Sequence, residues 1–237
     1  MNYRVEKQAA YVLHTRPYRD TSALVDFFSL EHGIVTAVCR GVRRPHSKMR
    51  AILQPFTPVQ ISWQGRNELK TLTVAESTGH LGAISGNALI CGLYANELLH
   101  KLLATHDPHP KLFVYYQYLL NSLVLQDIEI PLRIFERKLF LELGYNIDLS
   151  HIDANTTYYF DGEQLVIKKV VTINSSDQSA MFYGADLLAI KEDDYDTLSA
   201  RRAAKRFMRL QIDHLLAGRE LKTRELLRPR SRVDKSD

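Results

Sequence analysis

The chain has 237 residues, 45% of them apolar, and a formal net charge of +4, as expected for a soluble protein of one or two domains with a proper core. No apolar run approaches the ~18 residues of a membrane span, the N-terminus has no apolar signal region, and Cys39 and Cys91 stand apart in sequence, forming no metal-ligand pair and reading as reduced, buried side chains. The charge is uneven: residues 1–80 hold eleven Lys/Arg against six Asp/Glu, the remainder twenty against twenty-one, an asymmetry that points to a phosphate-rich partner or an anionic surface.

Residues 8–78 read as β. Strands are expected at 8–15, where Ala9, Tyr11 and Leu13 alternate, and at 22–29, 33–40, 58–64 and 68–77. His32-Gly33 and Gly65-Arg66-Asn67 supply turns. Five short strands suit a small Greek-key barrel such as the OB-fold, and an SH3-like barrel uses a similar number. Between the third and fourth strands lies a basic loop holding Arg40, Arg43, Arg44, Lys48 and Arg50 and no acidic residue. Such a loop suits a polyanion, although a charge run can also be a merely solvated surface.

Near Gly86 the periodicity becomes helical. Helices are expected at 88–104, 112–125 and 131–143, with Asp107-Pro108-His109-Pro110 ending the first and Gly144 placed for a left-handed cap on the third. Residues 150–185 lose this pattern and read as an irregular hairpin or insert, either held by packing of residues such as Tyr158, Phe160 and Val166 or partly mobile. An acidic segment at 186–196 precedes a helix at 197–217, on which Arg201, Arg202, Lys205, Arg206 and Arg209 form a second basic stripe. That stripe either meets a polyanion or pairs with the acidic segment. The tail from Arg228 is polar and expected to fray.

Motifs for common chemistry are missing. There is no phosphate-binding glycine loop, no His-Glu-x-x-His, no Cys-x-x-Cys and no nucleophile elbow. Glu68-Leu69-Lys70 resembles the end of some nuclease sites but has no convincing upstream carboxylate. His106 and His109 suit capping or exposed roles better than a metal site. The pattern is that of a binding protein. Arg16, Tyr18, Arg19 and Arg66 join the basic loop as candidate contacts, with Tyr18 able to stack a base, while Phe56 and Trp63 read as barrel core.

Taken in order, these pieces resemble the RecO family of recombination mediators, of gamma-proteobacterial type. The resemblance rests on residues 11–22 with Glu31-His32-Gly33, then Gly41-Val42-Arg43-Arg44 and residues 53–58. It continues through Leu93-Tyr94-Ala95-Asn96-Glu97, Arg133-Ile134-Phe135-Glu136 with Leu143-Gly144-Tyr145, Arg201 to Phe207 and Leu221 to Leu226. It implies an α+β protein with an OB-fold barrel at 1–80 and a mainly helical domain at 81–237. A degenerate zinc-finger-like insert would fall at about 150–185. Many members carry four cysteines in that insert; this chain has none there, so no zinc and no other cofactor is expected.

The resemblance also implies a cytoplasmic, nucleoid-associated, non-enzymatic protein without a membrane partner. It would bind single- and double-stranded DNA, anneal complementary strands and, with RecR and RecF, help RecA load onto strands coated by single-strand-binding protein, SSB. The acidic SSB tail, which ends in phenylalanine, would meet the helical domain near Leu132, Arg133, Phe135, Arg137 and Phe140. Phe135 can equally be core and Arg137 an ordinary surface charge. The rival readings are a protein-docking adaptor with little DNA affinity, an RNA-binding OB protein and a divergent nuclease.

Overall fold

In a computed structural model that describes residues 3–79, 81–170 and 178–226, the chain forms two compact units. The first takes the described residues up to Pro108, with short returns at Leu123–Gln126 and from Glu220 onward; the second takes His109–Ser122 and Asp127–Arg219.

The first unit is built on β1 (Arg4–Tyr18), β2 (Ser22–Ser29), β3 (Gly33–Cys39), the one-turn helix α1 (Met49–Ile52), β4 (Pro58–Gln64) and β5 (Lys70–Ser77). These strands close into a barrel in the order β1-β2-β3-β5-β4. All pairings are antiparallel except β3 with β5, which run parallel through Ala37↔Lys70 and Val38↔Thr71. That order selects the OB-fold over an SH3-like barrel.

β1 is much longer than its 8–15 alternation suggests because it serves two neighbours in turn. Arg4 to Tyr11 pair with β4, and Ala10 to Tyr18 pair with β2. A register shift between Val12 and His14 bends the strand between the two. Side chains alternate across the barrel wall, so Ala10, Val12, Val25, Phe27, Val35, Ile61 and Trp63 fill the interior. Tyr11, Leu13 and Phe28 are buried too, outside that cluster.

The helix α2 (Gly86–Leu102) packs on β1, and the Asn96 amide donates to the Leu13 carbonyl at 2.8 Å. The compact unit therefore reaches past residue 80. One position further, the Glu97 carboxylate accepts from the backbone N–H groups of Lys222 and Thr223, both at 3.0 Å, and from the Thr223 hydroxyl at 2.8 Å. It thereby caps α7 (Lys222–Leu226).

In the second unit, α3 (Pro110–Val124) sets Tyr116 against Phe135 of α4 (Glu129–Glu142), ring centroids 6.1 Å apart. α4 ends as its sequence suggests. Gly144 sits at φ +77°, its N–H reaches the Leu141 carbonyl and the Tyr145 N–H reaches that of Phe140, the two bonds of a Schellman cap.

The described residues of the insert form regular strands rather than an irregular hairpin. β6 (Thr157–Asp161), β7 (Val166–Lys169) and β8 (Met181–Tyr183) form a three-stranded sheet in the order β7-β6-β8. It leads into α5 (Gly184–Lys191) and α6 (Leu198–Leu216). Phe160 and Phe182 pack edge-on against Phe207 of α6 at 5.6 and 5.3 Å. Tyr158 and Phe160 are buried as expected, but Val166 is 38% exposed and Phe182 fills the core in its place. Residues 171–177 of the insert and the tail from Arg228 lie outside the described residues. Among the described residues no helix is long and apolar enough to cross a membrane.

Candidate nucleic-acid interface

Two apolar anchors hold the basic loop on the barrel. Val42 and Leu53 are buried in the barrel core, while Arg40, Arg43, Arg44, Lys48 and Arg50 are exposed. Successive turn bonds order the segment between the anchors: the N–H of Arg44 to the Gly41 carbonyl, of Ser47 to Arg44 and of Arg50 to Ser47. Gly41 takes φ +72° at the first turn. Arg43 latches the loop to the β1–β2 turn. Its backbone N–H donates to the Thr21 carbonyl at 2.9 Å and its Nη1 donates to the Arg19 carbonyl at 3.0 Å.

One ordered surface therefore carries Arg19 and the loop cations together. Tyr18 is half-buried, with the Arg19 guanidinium 5.2 Å from its ring centroid. One ring face is taken by that cation, which leaves at most the other for a base.

Arg16 has a different role. Its Nη1 donates at 2.8 Å to Asp26, a fully buried carboxylate on β2. Thr36 donates to the same group at 2.6 Å, and the His100 ring nitrogen lies 3.4 Å away. Burial alone would push the Asp26 carboxyl up, but the hydrogen bonds from His100 and Thr36 and the charge of Arg16 outweigh it, so the group is held below the ordinary aspartate range. Arg16 is thus a structural partner within the first unit. Arg66, in the β4–β5 turn, is exposed.

The stripe on α6 is partly engaged. Arg201 donates to the carbonyls of Tyr195 and Asp196. Arg206 donates to the Met181 carbonyl and lies 4.5 Å over the Phe182 ring. Arg209 faces Asp213 at 3.9 Å. Arg202 and Lys205 are exposed and form no ion pair among the described residues. The acidic segment does not neutralise this stripe: Asp193 is gripped in bidentate fashion by Arg137 and met by Lys138 at 3.0 Å.

The residues nominated for an SSB tail fall mainly in the core. Leu132, Arg133, Phe135 and Phe140 are buried, and Arg133 is paired with the buried Glu136 at 2.7 Å. They sit on the inward face of α4, which the three-residue spacing of its apolar positions already dictates. Two of the five nevertheless reach a cavity of about 130 Å³, where Arg137, Phe140, Ile147, Ile190, Lys191 and Met208 meet.

Phe56 and Trp63 are buried, as expected of core. Both cysteines are buried and unbridged, and burial pushes the Cys39 thiol up to about 12. His109 is buried 3.5 Å from Glu142 rather than exposed. Among the described residues no group of three or more His, Cys, Asp or Glu could hold a metal ion. Lys70 is buried with its ammonium on the carbonyls of Gly65 and Asn67, away from the role a nuclease lysine needs. Sequence reasoning missed Tyr3, His32 and His106, which converge with Arg66 and Lys70 around a second cavity.

The family model for the N-terminal part of recombination protein O matches residues 1–80, the barrel strands, and the model for its C-terminal part matches residues 85–154. The chain is 40% identical over 231 residues to the DNA repair protein RecO of Methylococcus capsulatus, covering 96% of this chain and 95% of that one. It is 39% identical over 229 residues to the RecO of Haemophilus influenzae, covering 93% and 95%. With the RecO of Burkholderia pseudomallei the identity is 38% over 232 residues, covering 95% and 84%. Two family models that together span most of the chain, and identities of 38–40% over nearly its whole length, lead to one conclusion: the chain belongs to the RecO family.

Proposed function

We propose that this protein is a DNA repair and recombination mediator that works by binding rather than by catalysis. It binds single- and double-stranded DNA, anneals complementary strands and, with RecR and RecF, helps RecA load onto SSB-coated strands in the cytoplasm. The observation that carries this reading is the basic loop, whose five cations stand exposed on a backbone latched to the β1–β2 turn by Arg43. A rigid array of this kind releases counterions from a phosphate backbone without reading sequence. Arg19, Arg40, Arg43, Arg44, Lys48 and Arg50 neutralise phosphates in this account, and Arg202 and Lys205 offer a second strand a separate cationic surface.

The cavity at Phe140 supports the SSB-tail part of the reading. About 150 Å³ of apolar space holds a benzene ring, and this cavity of about 130 Å³ has apolar walls at Phe140, Ile190 and Met208, with Arg137, Lys191 and Asp148 among its other lining residues. A terminal phenylalanine would enter it while the tail's carboxylates meet Lys191, since Arg137 is already held by Asp193.

The test is the annealing rate of complementary oligonucleotides precoated with SSB, with and without the protein and without nucleotide. Clear acceleration is the expected result. No acceleration, together with firm binding of a tail peptide, would favour the docking adaptor instead.

A further inference from the structure

A second cavity, of about 360 Å³, lies in the first unit and is lined by Tyr3, His32, Trp63, Arg66, Lys70 and His106. Its size is at the small end of the roughly 300–1,000 Å³ typical of ligand sites. Its walls come from the residue before β1, the β2–β3 turn, β4, the β4–β5 turn, the start of β5 and the segment after α2. Four of the six lining residues are basic and none is acidic.

Lys70 is 6% exposed and its ammonium donates only to backbone carbonyls, Asn67 at 2.7 Å and Gly65 at 3.5 Å. It forms no ion pair with a carboxylate among the described residues, and Tyr3 lies over it with the ring centroid at 5.8 Å. A buried ammonium without a counter-charge is costly, and an anion entering the cavity would supply one.

The histidines are held in place. His32 packs edge-on against Trp63 with centroids 5.1 Å apart. His106 sits at φ +62°, an uncommon backbone state for a residue other than glycine. It is fixed by its N–H to the Ile34 carbonyl at 3.1 Å. The close approach of this segment depends on Gly33, where a Cβ would stand 1.9 Å from the Asp107 carbonyl oxygen.

We propose that this pocket binds the phosphomonoester of a nucleotide, either the terminal phosphate of a DNA strand or that of a free mononucleotide. The terminal-strand form rests on the DNA-binding reading above. A phosphomonoester carries roughly −1.5 to −2 charges with three strong acceptor oxygens, which suits an ammonium, a guanidinium and the His32 imidazole better than the single charge of an internal phosphodiester, while the His106 ring is held on the backbone of Glu68. Tyr3, 53% exposed, is placed to stack on the adjoining base.

The chain's single tryptophan, Trp63, lines the cavity, so intrinsic fluorescence reports on it directly. The probes are short thymidine oligonucleotides carrying a phosphate on one end, on the other or on neither, together with thymidine monophosphate and an acidic peptide. The expected result is saturable quenching by phosphate-bearing probes, with the unphosphorylated strand needing about tenfold more to match it. Tighter binding of the phosphorylated strand than of the mononucleotide assigns the site to strand ends; equal binding assigns it to the nucleotide itself.

Arg66→Gln, an exposed change, should abolish the preference for phosphate. Arg43→Ala with Arg44→Ala should weaken every strand and leave the preference intact. Lys70→Met is the stronger perturbation, and Arg66→Gln decides the matter if that variant fails to fold. Equal affinity for phosphorylated and unphosphorylated strands overturns the pocket while leaving DNA binding in place. Absence of binding by any strand or nucleotide overturns both. Stronger quenching by the acidic peptide reassigns the pocket to a protein partner and overturns the proposal.

Discussion

The Asp26 carboxylate shows how one residue's role depends on partners the local sequence does not reveal. It stands between Val25 and Phe27 in an apolar strand, yet it is fully buried and gathers Arg16 from β1, Thr36 from β3 and His100 from α2. Its folded-state pKa lies below its ordinary value, so its contribution to stability is fully present above the unfolded value of about 4 and is lost as pH falls through the folded value. Asp26→Asn keeps the shape and removes the charge. It should cost about 1–3 kcal/mol in urea unfolding at neutral pH. The gap to wild type should close as the solution is acidified, because the native carboxyl then becomes neutral as well. A gap that stays constant from pH 7 to acid would show that packing, not charge, is what the substitution disturbs. The same network explains why Arg16, which looked like a phosphate contact beside Tyr18, spends its Nη1 on a buried acid ten residues away.

At the scale of elements, what was legible was local. β2 and β4 match their sequence ranges, because each is a short run bounded by turn residues. The cap at Gly144 and the start of α6 are equally local. At α6 the Thr197 hydroxyl accepts from the Ala200 N–H at 3.1 Å, so Thr197→Ala should lower stability by about 1 kcal/mol and Thr197→Ser should restore most of it, measured by thermal unfolding. An unchanged transition in the alanine variant would mean that packing of α6 alone sets its N-terminus. What was not legible depends on distant partners. β8 is only three residues long and carries no alternation to read, so the third strand of the insert's sheet was invisible even though a hairpin was expected there. The basic loop stood out because its cations adjoin one another with no acid between them. The engagement of Arg137 by Asp193, 56 residues away, left no trace in the sequence of α4. For the same reason the cavity at Phe140 was approached only through two of its walls. There, Lys191→Glu should weaken binding of an SSB-tail peptide about tenfold by calorimetry, and a peptide lacking the terminal phenylalanine should bind weakly to either protein. Equal binding of the wild-type peptide to both proteins would place the tail elsewhere.

For the molecule as a whole, the functional question is how two strands that repel each other are brought together. The excess positive charge lies in residues 1–80, where the loop cations sit exposed, and the exposed Arg202 and Lys205 lie on α6 of the second unit. Each phosphate neutralised on single-stranded DNA contributes roughly −0.7 to the slope of log affinity against log salt. Arg43→Ala with Arg44→Ala should therefore flatten that slope by roughly 1.4 and weaken all sequences alike. Arg202→Ala with Lys205→Ala should leave single-strand affinity within about threefold, because the loop still holds one strand, yet slow annealing about tenfold by removing charge that offsets the second strand's repulsion. Annealing rate and single-strand affinity, measured on both variants at one salt concentration, separate this account from its simplest competitor. If each variant loses annealing only in proportion to its lost strand affinity, a single cationic surface carries both strands and the α6 stripe has no independent part.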